Sequence, residues 1–184
     1  MSHYDVIIIG AGPTGLMAAN QLARFGINFL IIDSKEGPTD QSRAIVITAR
    51  SMEIYQQLGI SDTAIEEGRF ILDFAIFVKG KEKATAHVGE FGKGLTDFSY
   101  LLAFEQSKNE KLLVKNLSSF NKQVSWQTEL EDIIQHPGIA EVHLKKSADP
   151  GQPVEKLTAK FIIGCDGASS KVRHLLNFSF KGGT

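Results

Sequence analysis

Tyr4-Asp5-Val6-Ile7-Ile8-Ile9-Gly10-Ala11-Gly12-Pro13-Thr14-Gly15 joins a short β-branched run to a glycine-rich turn. An apolar run closed by glycine suits a strand buried on both faces of a parallel sheet. Pro13 fits an early position in the helix that follows, where its missing N–H costs nothing. Leu16, Ala19, Leu22 and Ala23 then recur at helical spacing up to Gly26, a good helix stop. Asn28 to Asp33 reads as the next buried strand. Strand, helix and strand within about 30 residues make one βαβ unit.

The turn fits the spacing G-x-G-x-x-G, and each glycine has a separate job in binding a dinucleotide. Gly10 permits the tight turn, Gly12 lets the backbone approach a pyrophosphate, and Gly15 permits close packing of helix on strand. Pro13 and Thr14 complete the turn, and the phosphates would sit at the helix N-terminus, where unpaired N–H groups and the positive dipole end favour anions. Taken alone the pattern is an ordinary strand-to-helix turn. Here it follows a strand, opens a helix, and is followed about 20 residues later by Asp33, with Ser34 beside it, at the end of the second strand. A carboxylate there can accept from ribose hydroxyls and would repel an NADP 2′-phosphate.

Composition narrows the partners. Twenty Lys and Arg against 21 Asp and Glu leave a formal charge of -1, so nothing points to nucleic acid or to an anionic membrane surface. The partners implied are small molecules. The chain of 184 residues has apolar material for one domain or slightly more. The only cysteine, Cys165, cannot form an internal disulfide, and the five histidines share no metal-ligand spacing, so no metal site is expected. The first apolar run is too short for a signal peptide or a membrane span, which together with the lone thiol leads to a cytoplasmic expectation.

Ser34 to Arg43 reads as a loop, Ala49 to Leu58 as a helix closed by Gly59, and Ser61 to Glu67 as a second small helix. Phe70 to Val78 and Ala84 to Val88 are strand-like, Glu90 to Asp97 reads as a mobile loop, and Leu101 to Phe104 is a short strand before a helix from Glu105 to about Phe120. Val124 to Gln135, Ala140 to Lys146 and Val154 to Lys160 alternate, separated by His136-Pro137-Gly138 and Asp149-Pro150-Gly151, which predicts a three-stranded antiparallel meander. Phe161 to Gly164 reads as one more buried strand, followed by a turn and a short helix from Ser169 to Leu176. Cys165 reads as a small core residue, since no activating base is near it.

Three further segments bear on which dinucleotide is bound. Ser42-Arg43-Ala44 precedes the helix Arg50 to Leu58. Leu102-Ala103-Phe104-Glu105-Gln106 introduces the helix with Leu112 and Leu113. Phe161-Ile162-Ile163-Gly164-Cys165-Asp166-Gly167-Ala168-Ser169-Ser170-Lys171-Val172-Arg173 follows the meander. In this order they resemble the para-hydroxybenzoate hydroxylase family of single-component FAD monooxygenases, over nearly the whole chain. The resemblance implies an α/β fold: a Rossmann-like FAD-binding domain with the antiparallel β-meander and, at about residues 70–104, an inserted start of a substrate-binding β-sheet. It also implies that Arg43, with Ala44 beside it, lies near the pyrophosphate or flavin, that Gln106 bonds along the ribityl and phosphate region, and that Asp166 and Gly167 lie near the pyrophosphate. Arg173 would help to hold the Asp166 segment together.

Read from the residues alone, the plain alternatives are a solvated loop charge for Arg43, a helix N-terminal residue for Gln106 and a helix cap for Asp166. For the whole enzyme the resemblance implies FAD reduced by NAD(P)H, O2 adding at the flavin C4a position, and the hydroperoxide hydroxylating a phenolic or other aromatic substrate. No residue of this chain is then expected to be catalytic, because the hard chemistry belongs to the flavin. A halogenase, reductase or oxidase of the same architecture, or a non-catalytic FAD-binding module, are the other readings. The family's third fingerprint, a Gly-Asp pair followed by Ala-Ala-His or similar, does not occur in this sequence. The expectation is therefore an N-terminal portion of an FAD-binding domain, inactive by itself, whose C-terminal remainder is absent.

Overall fold

The computed structural model describes residues 2–41, 46–90, 92–146 and 153–182. In chain order the elements are β1 (His3–Ile9), α1 (Pro13–Arg24), β2 (Phe29–Ile32), β3 (Val46–Ile47), α2 (Ala49–Gln57), α3 (Ser61–Glu67), β4 (Arg69–Ile71) and β5 (Asp73–Val78). They continue with β6 (Lys81–His87), β7 (Leu101–Ala103), α4 (Gln106–Ser119), β8 (Thr128–His136), β9 (Ile139–Lys146), β10 (Glu155–Gly164) and α5 (Lys171–Leu175). The chain divides into two compact units. One comprises residues 1–39 and 113–184, the other residues 40–112, so the boundary falls inside α4.

The first unit is built on a sheet of order β2-β1-β10-β9-β8. β1 pairs in parallel with β2 and with β10, whereas β10-β9 and β9-β8 are antiparallel. Both faces of β1 are buried, as its unbroken apolar run requires. Ile7 and Ile9 share one core cluster with Ile32, Leu130, Ile133, Val142 and Leu144, so the meander packs its inner side chains against the parallel strands. The sheet curls far enough for residues just before β8 to return to β2, through a parallel bridge between Ile32 and Ser125. Helix α1 packs on β1 and β2 and buries Leu16 and Ala19.

Helix α1 also carries a buried polar lock. Asn20, fully buried, donates from Nδ2 to the carbonyls of Leu16 (2.8 Å) and Leu113 (3.0 Å), while Asn116 donates to its Oδ1 (2.8 Å). The stretch of α4 from Leu113 onward is thereby tied to α1 within the same unit, and Leu113 and Leu117 fill the apolar space beside it.

In the second unit β7 is the middle strand of the sheet β3-β7-β4, α2 and α3 pack against each other, and β5 and β6 form a separate two-stranded hairpin. The phenol of Tyr55 on α2 donates to Asn109 Oδ1 (2.6 Å), and burial pushes its pKa up to about 12.

Several expectations need correction. The predicted strands 154–160 and 161–164 are one strand, β10, because its first half pairs with β9 and its second half with β1. A single chain segment thus serves as both the last meander strand and the third parallel strand. Phe161, read as buried, is 66 % exposed. The apolar run 70–78 breaks at Leu72 into β4 and β5, which join different sheets, and the Leu72 carbonyl accepts from the amides of Val88 (2.7 Å) and Gly89 (3.0 Å) instead. β8 begins at Thr128 because Gln127, at φ 50, turns the chain out of line. The loop reading of residues 90–97 stands for its described residues, where the amides of Leu95 and Thr96 bond back to Gly92 in turns.

Replacing Asn20 by Ala is expected to lower unfolding free energy by about 2–3 kcal/mol in urea titration, because it strands a buried carbonyl and leaves a void between the helices.

Candidate functional site

The C-terminal ends of β1, β2 and β10 meet at the glycine-rich turn, where a ligand of an open α/β sheet is bound. Gly10 stands at φ +102, and a Cβ there would lie 2.5 Å from the Cys165 carbonyl oxygen and 2.8 Å from the Asp166 nitrogen. A Cβ on Gly15 would overlap the Gly10 carbonyl oxygen and reach within 3.2 Å of Cys165 Cβ. These two glycines are required by contacts within the chain. Among the described residues Gly12 is not: its φ of -76 and ψ of -177 suit any residue, and a Cβ there would meet none of them within 4 Å.

The open space above Gly12 lies at the start of α1. The first-turn amides of a helix have no intrahelical partners, and no side chain caps them here, nor does an acidic residue stand in that turn. Thr14 is exposed and Pro13 half-buried. Asp33, its side chain only 10 % exposed, accepts from the Ala11 amide at Oδ2 (2.6 Å) and from the Lys35 amide at Oδ1 (2.9 Å). The carboxylate therefore pins the turn to the end of β2, and Ser34 beside it is exposed.

The Asp166-Gly167 turn is brought to the same place by the Cys165 amide, which donates to the Ile9 carbonyl (2.7 Å). Asp166 accepts from the Ser170 hydroxyl (2.6 Å) and from the Val172 amide (3.1 Å), so it does order the start of α5, while Ser170 accepts from the Arg173 amide (3.1 Å). Gly167 is exposed at φ +82. Arg173 is tied to this segment by that amide, and its guanidinium meets His174 Nε2 (2.9 Å) and lies 5.3 Å from the Phe180 ring centre. Cys165 is half-buried, and desolvation, with the Asp166 charge second, raises its thiol pKa, the opposite of an activated nucleophile.

The structure thus brings together Gly10, Gly12, Pro13, Thr14, Gly15, Asp33, Ser34, Asp166 and Gly167 in the first unit. Gln106 belongs to the second unit, where its Nε2 donates to Oε1 of the fully buried Glu110 (2.8 Å). Arg43 and Ala44, with Ser42, lie outside the described residues. Sequence reading passed over Trp126 and Lys35. Lys35 stands beside Asp33 through its own amide bond to the carboxylate, and Trp126 comes next to Lys35 because residues 125–128 run beside β2, a placement made by the curl of the sheet, which leaves no local signal. Among the described residues no helix is long and apolar enough to cross a membrane, and no group of three His, Cys, Asp or Glu is placed to hold a metal.

An FAD binding domain family matches residues 3–184. The chain belongs to this family. As a member, it is similar to rifampicin monooxygenase of Streptomyces venezuelae, 32% identical over 97% of this chain and 35% of the relative, and to pentachlorophenol 4-monooxygenase of Sphingobium chlorophenolicum, 30% identical over 96% of this chain and 32% of the relative. The chain spans about a third of the length of these curated relatives. The p-nitrophenol 4-monooxygenase structure from Pseudomonas putida has the same fold, with a TM-score of 0.89 at 24% identity, covering 99% of this chain and 46% of that one.

Gly15→Ala is expected to destabilise the FAD-binding domain by about 2 kcal/mol or more, since the added methyl meets backbone that cannot move aside. Gly12→Ala is expected to change stability by no more than about 0.5 kcal/mol. Thermal and urea unfolding of the two variants check the contrast.

Proposed function

We propose that the turn at Gly10 to Gly15 binds the pyrophosphate of FAD, as part of an NAD(P)H-dependent monooxygenase that hydroxylates a phenolic or other aromatic ring. The observation that carries the reading is the space at Gly12. No contact among the described residues forbids a side chain there, and it stands at a helix start whose amides lack a side-chain cap, which supports reading the glycine as kept clear for an anion from outside. The residues present fit FAD: a positive helix end for the diphosphate, Asp33 for the adenosine ribose, and Asp166-Gly167 on the other side of Gly10.

Bound FAD would supply the redox chemistry, taking electrons from NAD(P)H and passing one oxygen atom of O2 to the ring. What this chain contributes is binding and orientation. The first-turn amides of α1 and the Gly12 backbone hold the diphosphate. Asp33 accepts from the ribose while keeping the turn fixed through Ala11, and Asp166 shapes the turn at Gly167. Arg43, Ala44 and Gln106 are proposed further along the cofactor. Residues 70–104 are proposed as the beginning of the substrate-binding sheet, since they supply β4 to β7 and an edge-to-face pair of Phe70 and Tyr100 (ring centres 4.5 Å apart). The hydroxylase reading draws on the relatives, which are named as a rifampicin monooxygenase and a pentachlorophenol 4-monooxygenase. The lone unpaired thiol of Cys165 supports a reducing, cytoplasmic location.

Protein purified from its own cells and denatured is expected to release FAD, and Gly12→Ala is expected to weaken FAD binding roughly tenfold or more while leaving the fold intact. NAD in place of FAD would overturn the cofactor, and NAD(P)H consumption unaffected by any phenol in the presence of O2 would overturn the hydroxylase.

A further inference from the structure

We propose that Glu110 is a positioning residue for the cofactor: it fixes the side-chain amide of Gln106 so that the amide oxygen meets a hydroxyl of the ribityl chain and not a phosphate. The inference rests on the FAD reading above, in which Gln106 lies further along the cofactor. Its residues all belong to the second unit. Gln106 is the first residue of α4, and Glu110 stands four residues on, one turn along the same face. The turn they share is held from several sides. Phe104 before it is buried, the Asn109 amide donates to the Glu105 carbonyl (2.9 Å), the Asn109 side chain accepts from Tyr55 (2.6 Å), and Lys108 Nζ donates to the Glu67 carbonyl (3.3 Å).

Glu110 is fully buried, whereas Gln106 is half-buried, and Gln106 Nε2 donates to Glu110 Oε1 (2.8 Å). An amide can be turned over with no change of shape, so its two ends are told apart by their partners. Here the reversed amide would set two acceptor oxygens against each other at that distance. A carboxylate only accepts, and it therefore decides which end of the amide faces it. Burial sharpens the choice, because a buried carboxylate that loses a donor is costly. The Gln106 oxygen is directed away from Glu110, and it accepts from no group among the described residues. An oxygen presented in this way suits a hydroxyl and repels the oxygens of a phosphate. Because Glu110 and the braced turn hold the rotamer in advance, little side-chain freedom is lost when the hydroxyl arrives.

FAD and ADP, each titrated by calorimetry, separate the two halves of the cofactor, since ADP carries the diphosphate and lacks the ribityl chain. Glu110→Gln is the variant, because an amide at that position donates as well as accepts and lets Gln106 turn over. FAD affinity is expected to fall roughly three- to tenfold, about the worth of one pre-set hydrogen bond, with ADP affinity unchanged. Gln106→Leu is expected to show a similar loss, and adding Glu110→Gln to it costs nothing further. Unchanged FAD affinity in Glu110→Gln, equal losses for FAD and ADP, or losses that add in the double variant overturn the proposal and leave the FAD reading intact. If melting curves show that Glu110→Gln does not fold, NMR of the wild-type protein decides. Slow hydrogen exchange at the Gln106 side-chain amide before FAD is added supports the proposal, and exchange as fast as that of a solvated glutamine overturns it. A wild-type protein to which FAD does not bind overturns the FAD reading and this proposal with it.

Discussion

Two glycines let three backbones meet where side chains would keep them apart. Gly10 lies against the Cys165 carbonyl at the end of β10, and Gly15 on α1 lies against the Gly10 carbonyl at the end of β1. Every other part of the site takes its position from this close approach. It brings the Asp166-Gly167 turn to the N-terminal turn across more than 150 residues of sequence, sets α1 flat on β1 and β2, and leaves the uncapped helix start facing the space over Gly12. The hydrogen bond from the Ala11 amide to Asp33 then fixes the end of β2 to the same point.

The sequence was most readable where one local rule decided the outcome. The β-branched run Val6 to Ile9, the helical spacing of Leu16 and Ala19, and the carboxylate of Asp33 each follow from residues close in the chain, and β1, α1 and β2 were legible for that reason. The double use of β10 was not. Whether residues 161–164 begin a new strand or continue an old one depends on partners from β9 and β1, and composition says nothing about that. Phe161 misled because an aromatic residue beside Ile162 and Ile163 looks buried, and composition does not say what packs against each side of a strand. The two-residue strand β3 is too short to leave a pattern.

At the site, the glycines and Asp33 were legible from spacing, whereas Asp166 and Gly167 came from the family resemblance. The separate jobs read for Gly12 and Gly15 match the geometry, which sets Gly15 against the Gly10 carbonyl and leaves open space at Gly12 among the described residues. Of the two readings of Asp166, the helix cap is seen in its bonds from Ser170 and Val172, while a place near the pyrophosphate belongs to the proposal. The pairing of residues 125–128 with the end of β2 could not be found by motif, because only the curl that returns the chain from α4 to the edge of β2 makes it.

Backbone amide hydrogen exchange with and without saturating FAD tests the central claim most directly. If the diphosphate lies over Gly12, exchange at the amides of Gly12, Thr14 and Gly15 slows on binding, and so does exchange at Asp166 and Gly167. Bound FAD that leaves these amides unchanged, with protection confined to other segments, would contradict the account.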